Sequence, residues 1–178
     1  MIKYLLSRVC HKLLGRRNYY RLARYLWLDA RRDREKVMSR NGEQDVQNAI
    51  AGLAKGRSSV VLFDIGANIG EYTETLLRAL NNSGVESFRH FCFEPNPACV
   101  EAIQTRLEQL PNGSSVEVIP KTVSDQSGTV AFYVTGETAG SSSLRIDEKK
   151  QQGTRIEAEC LTLDSFCMEH EINEILFA

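Results

Sequence analysis

The run Val60-Val61-Leu62-Phe63-Asp64-Ile65-Gly66-Ala67-Asn68-Ile69-Gly70 constrains the fold of this chain more than any other stretch. Four apolar residues in a row, β-branched and aromatic among them, predict a strand buried on both faces, as central parallel strands are. The run meets an acid, Asp64, and then two glycines four apart. Beyond them Leu76, Leu77 and Leu80 stand at helical spacing. Strand, glycine turn and helix open a doubly wound nucleotide-binding unit. Glycine lets the backbone come close to a ligand, and a new helix offers free N–H groups there.

The turn departs from the G-x-G-x-x-G of a dinucleotide site, since it reads Gly66-x-x-x-Gly70 after Asp64. A carboxylate beside the turn repels a pyrophosphate at close range. It suits a ligand with positive charge and no phosphate, and S-adenosylmethionine fits. Phe88 to Phe93 predicts a second strand ending in Glu94-Pro95-Asn96-Pro97. An acid at that strand end is where a nucleoside-binding fold grips ribose hydroxyls, with bonds to the charged group worth about 1.5–3 kcal/mol. Asn96 and Pro97 then start a helix as N-cap and first helical residue.

Between these elements and around them the chain is ordinary in composition. Its 178 residues suit one domain, and 42% hydrophobic with 25% charged residues is the balance of a soluble globular protein. The net charge of −1 conceals an asymmetry. Residues 1–40 hold twelve Lys/Arg against three Asp/Glu, while residues 41–178 hold ten against twenty. An acidic body disfavours nucleic acid as a partner. Five cysteines, at 10, 92, 99, 160 and 167, form no C-x-x-C, and His11, His90 and His170 are scattered. Buried thiols and no metal site are expected. No apolar run nears the ~18 residues of a membrane span, and Lys3, Arg8 and Lys12 interrupt what a signal peptide would need. The cytoplasm is the default location.

The basic leader, residues 1–40, shows helical spacing of Ile2, Leu5, Leu6, Val9, Leu13 and Leu14, then of Tyr19, Leu22, Ala23, Leu26 and Trp27, with Gly15 between. It is expected either to pack as a helical arm on the domain or another subunit, or to lie on an anionic membrane face. A helix over Glu43 to Lys55 leads into the key strand. Further strands are expected at Val116–Ile119, Thr129–Thr135 and Ile156–Leu161. A short helix capped by Asp164 follows, then the apolar tail Ile175–Ala178.

In order, Asp64-x-Gly66-x-Asn68-x-Gly70, Phe93-Glu94-Pro95-Asn96, Val123-Ser124-Asp125-x-x-Gly128, Gly140-Ser141-Ser142-Ser143-Leu144 and Thr162-Leu163-Asp164 resemble the FkbM family of S-adenosylmethionine-dependent methyltransferases. The resemblance runs from about residue 58 to the C-terminus. It implies an α/β, doubly wound, Rossmann-like methyltransferase sheet over residues 41–178, and methyl transfer to an acceptor hydroxyl on a glycan or small natural product. It places Asp64, Gly66, Asn68 and Gly70 at the methionine end of the cofactor, Glu94 on the ribose, and Ser124 and Asp125 beside the adenine. The general base and the oligomeric state are not given. In the family the strand matching Ile175–Ala178 continues into a Lys-Ile-Asp-x-Glu-Gly type segment. The expectation here is therefore a sheet incomplete at the C-terminus, the N-terminal part of a longer protein, without turnover by residues 1–178 alone. Two rivals remain: an NAD-dependent oxidoreductase, against which Asp64 and the missing G-x-G-x-x-G count, and a non-catalytic nucleoside-binding or scaffold protein.

Overall fold

The computed structural model describes residues 2–30, 38–85, 87–134 and 154–178, and side chains from residue 12 onward. The expected loop Gly140–Leu144, the charge run 31–36 and the side chains of Ile2, Leu5, Leu6 and Val9 lie outside the described residues. The chain forms two compact units, residues 1–46 and 47–178. The first holds α1 (Ile2–Ala30), α2 (Met38–Asn41) and the start of α3 (Glu43–Ala54). Gly15 interrupts α1 with φ 69° and ψ 161°, a conformation open to glycine alone. Among the described residues no helix is long and apolar enough to cross a membrane.

The second unit is a mixed α/β structure. It contains β1 (Val61–Ile65), α4 (Glu71–Asn82), β2 (Arg89–Phe93), α5 (Pro97–Leu107), β3 (Val116–Ile119), β4 (Thr122–Val123), β5 (Gly128–Val134), β6 (Thr154–Leu161) and α6 (Leu163–Glu169). Strands β1, β2 and β3 lie in that order and are parallel, with Asp64 level with Cys92 and Phe91 level with Glu117. Phe177 bridges Leu62 on the other side of β1, and the Phe63 N–H donates to the Phe177 carbonyl at 2.8 Å. The apolar tail thus sits beside the first strand.

Side-chain alternation along β1 and β2 builds a core on each face. Leu62 and Cys92 join Leu76, Leu77 and Leu80 of α4, Ile103 and Leu107 of α5, and Ile50, Ala51 and Ala54 of α3. Val61, Phe63, Phe91 and Phe93 face the other way, onto Phe166 of α6 and Ile172. The four phenylalanines Phe63, Phe91, Phe93 and Phe166 meet edge to face with ring centroids 5.0–5.9 Å apart, the arrangement their ring quadrupoles favour.

Two expectations change. The described strands form two sheets rather than one, the second ordered β4-β6-β5, with β4 parallel and β5 antiparallel to β6. Pro120 stands between β3 and β4, where it has no N–H to donate to a ladder and cannot carry the strand on. The cap of α6 is Thr162 rather than Asp164: its Oγ1 accepts from the Ser165 N–H at 3.2 Å, and Asp164 lies inside the first turn. The cap expected for α5 is present, with Asn96 Oδ1 accepting from the Ala98 N–H at 3.2 Å.

Candidate functional site

The turn after β1 is drawn onto the end of β2 by its own backbone. The N–H groups of Gly66 and Ala67 both donate to the Phe93 carbonyl, at 2.8 and 3.2 Å. Gly66 has φ 81° and Asn68 has φ 48°, so two left-handed residues turn the chain within three positions. That turn aims the Asn68 N–H at Glu94 Oε2, 2.9 Å away. The other oxygen, Oε1, accepts from the Asn96 N–H at 2.9 Å. Glu94 therefore ties the loop after β1 to the loop after β2. A carboxylate has about four acceptor positions, and these bonds leave capacity on each oxygen.

The two glycines of the turn do different things. A Cβ built on Gly66 would meet nothing within 4 Å, so that position opens onto free space. A Cβ on Gly70 would meet Ile103 Cγ1 at 3.2 Å. Gly70, at φ 77° and at the N-cap of α4, is the point where α4 closes on α5.

Burial raises the pKa of the Glu94 carboxyl, the Asn96 and Asn68 N–H bonds hold it down in part, and the charge on Asp64 pushes it up again. Burial likewise raises Asp64, against a hydrogen bond from the Thr73 hydroxyl to its Oδ2 at 2.7 Å. Thr73 Oγ1 also lies 3.1 Å from Cys92 Sγ. On the Glu94 side, Cys99 donates to Asn68 Oδ1 at 3.3 Å, and Asn96 Nδ2 donates to its sulfur at 3.2 Å.

A cavity of about 160 Å³ opens at the ends of β1 and β2. Gly66, Asn68 and Glu94 of the expected site residues line it, together with Thr122, Val123 and Phe132. Asp64 is turned to Thr73 and Gly70 is engaged with Ile103, so neither is among the lining residues. Ser124 and Asp125 follow β4 just outside it; the Ser124 N–H is held by the Leu161 carbonyl, and Ser124 Oγ donates to Asp125 at 3.1 Å. Thr122 and Val123, immediately before them in the chain, are among the residues that line it. Sequence reasoning also passed over Cys99 and Phe132. For Cys99 a signal existed, because it stands three residues after Asn96 on the first turn of α5. For Phe132 none did beyond the alternation of Val130, Phe132 and Val134.

The structure also brings together Asp64, His90 and Cys92, whose ligand atoms lie within 4.8 Å of one another. His90 is 1% exposed, and neither of its ring nitrogens has a hydrogen-bond partner among the described residues. Burial pushes the Cys92 thiol up to about 12, helped by the Asp64 charge, and pulls the imidazole down to about 4. A metal ion here would have to displace the thiol proton and the Thr73 hydroxyl contact. A larger groove, of about 610 Å³, runs between α4 and α5. Arg78 and Arg106 on its wall are both paired with Glu74, whose carboxyl they hold below the usual range. That pairing marks it as a charged surface furrow away from the strand ends.

The sequence model of one family, the Methyltransferase FkbM domain, matches residues 64–177. No curated protein matches the chain.

Proposed function

The chain belongs to the FkbM methyltransferase family, and on that footing we propose that it binds S-adenosylmethionine at the ends of β1 and β2, the methyl-donor side of transfer to a hydroxyl of a glycan or small natural product. The observation that carries this is Glu94. It lies at the end of β2 beside the cavity, held by two backbone N–H groups, with acceptor capacity left for a ribose diol. A dinucleotide reading fares worse, since the turn lacks G-x-G-x-x-G and Asp64 stands at the strand end beside it, where a carboxylate would repel a pyrophosphate.

The fit can be followed residue by residue. Ligand pockets usually span about 300–1,000 Å³, so a cavity of about 160 Å³ takes part of the cofactor. Thr122, Val123 and Phe132 offer a partly apolar wall suited to the adenine, with Glu94 between that wall and the turn. Gly66, with open space over its Cα, leaves room for the methionine end. The cofactor would supply a methyl group made electrophilic by the sulfonium. The chain's own share is to hold the adenosine and turn the methyl toward the acceptor, since in-line positioning is worth several orders of magnitude in rate.

Isothermal titration of the chain with S-adenosylmethionine and with NAD tests the reading. Binding of the first alone is expected, weakened about ten- to hundredfold by Glu94→Ala. Binding of NAD instead, or a Glu94→Ala variant with unchanged affinity and an unchanged melt, would sink it.

A further inference from the structure

We propose that α1 is a hinged, interfacial helix that docks on an anionic lipid surface. The evidence lies in how its residues divide at Gly15. Beyond that hinge, Leu22, Leu26, Tyr19 and Ala23 recur at spacings of three and four and gather on one side of the helix. Arg17, Arg21 and Arg24 recur at four and three on the opposite side. Tyr20 and Trp27 flank the apolar stripe. On the stripe Leu22 is 41% exposed and Leu26 55%, with Trp27 at 56% and Tyr20 at 64% beside it, while Tyr19 is half-buried. Apolar residues scattered over a surface are ordinary, but a stripe of this kind on one helix marks an interaction face.

The hinge has a geometric use. In the sequence before it, Ile2, Leu5, Leu6, Val9 and Leu13 also recur at three and four. At 100° per residue, one unbroken helix would set the two stripes about a quarter turn apart. The non-helical φ 69° and ψ 161° at Gly15 break that phase relation, so the two segments are not held to a single continuous helix axis.

Charge selects the occupant. Residues 1–40 carry twelve Lys/Arg against three Asp/Glu, and residues 41–178 carry ten against twenty. An anionic surface attracts the first and repels the second, so contact falls to the leader. Trp and Tyr beside the stripe suit the headgroup level, where the ring is buried and the polar tip stays wet. Arg17, Arg21 and Arg24, on the side away from the stripe, keep their charge in water while staying within reach of the anionic headgroups' field.

Trp27 is the only tryptophan of the chain, so its fluorescence reports on this helix directly. The full chain is titrated with vesicles of phosphatidylcholine alone and of phosphatidylcholine with phosphatidylglycerol, at low and high salt. The expected result is a blue shift of Trp27 emission and co-sedimentation with the anionic vesicles, lost as salt rises. Replacing Arg17, Arg21 and Arg24 together by Gln should weaken this about a hundredfold. Leu22→Ser with Leu26→Ser should weaken it while leaving the salt dependence in place. All five positions are exposed, and an unchanged far-ultraviolet circular dichroism spectrum and melt confirm that the variants fold. Equal binding to neutral vesicles, or no shift at low salt, overturns the proposal. So does a Trp27 shift produced instead by RNA, or by raising protein concentration with dimer formation.

Discussion

His90 stands on β2 with its ring wholly enclosed and neither nitrogen bonded among the described residues. Its proton uptake should be visible in the stability of the fold. The folded imidazole titrates near 4 and the unfolded one near 6.5 because burial disfavours the charged form. Between those values the unfolded chain binds the proton and the folded chain does not, so stability falls as pH drops from 6.5 to 4. The full effect is about 3 kcal/mol. Asp64 and Glu94, whose pKa values are raised, work in the opposite sense: their contribution is present at low pH and lost as pH rises through the folded values. The difference between the chain and His90→Leu isolates the histidine. We expect the variant to be as stable or more stable at pH 7, and to gain on the parent by about 3 kcal/mol by pH 4 in urea melts. Parallel pH profiles for the two proteins would refute this. None of it was legible in the sequence, where His90 was one of three scattered histidines. Its neighbours follow from the register of β1 on β2, which sets Leu62 level with His90 and Asp64 level with Cys92. Glu94 was legible, because a strand end followed by an N-cap is local. That its oxygens hold two loops together was not, since Asn68 is twenty-six residues away.

At the scale of elements, the strand, turn and helix around Gly66 and Gly70 form where the apolar run and the glycines place them, but the two glycines separate by role. Alanine at either site takes on left-handed backbone strain of about 1–2 kcal/mol. At Gly70 the new methyl also presses on Ile103, which is fully buried between α4 and the sheet. At Gly66 it enters open space beside the cavity. Gly70→Ala should therefore lower stability by about 2–4 kcal/mol with cofactor affinity little changed in the folded fraction. Gly66→Ala should lower stability by about 1–2 kcal/mol and affinity at least tenfold. Thermal melts and titration of both variants with S-adenosylmethionine decide it; the reverse ranking would return Gly70 to the ligand. The second sheet was only partly legible for a related reason. Alternation marked β5 as a strand, and a strand was expected over Ile156–Leu161 of β6. Which strands they pair with depends on contacts between β4 and β6 that bridge nearly forty residues, and on Pro120 ending the first ladder.

At the scale of the whole molecule, the residues that line the cavity lie between positions 65 and 132, in the acidic part of the chain. The helix α3 belongs with them energetically. Ile50, Ala51 and Ala54 are buried in the same cluster as Leu62, Leu76 and Leu80. Gln47 Nε2 donates to the Tyr72 carbonyl at 3.2 Å and to Thr75 Oγ1 at 2.7 Å. A chain cut at residue 41 keeps all of these groups, whereas one cut at residue 56 removes them and opens apolar surface on α4. Burying a side chain such as Ile50 is worth about 1.5–3 kcal/mol, and a marginally stable domain has only about 5–15 kcal/mol in total. Residues 41–178 should thus melt cooperatively and bind S-adenosylmethionine within about twofold of the full chain, the limit set by a change under ~0.4 kcal/mol. Residues 56–178 should lose the cooperative melt. The same shortened chain, carrying twice as many acidic as basic residues, should also fail to sediment with anionic vesicles at any salt. Should residues 41–178 bind the cofactor more than tenfold more weakly, the leader would be contributing to the site, and the division of labour between a docking helix and a cofactor-binding α/β unit would be wrong.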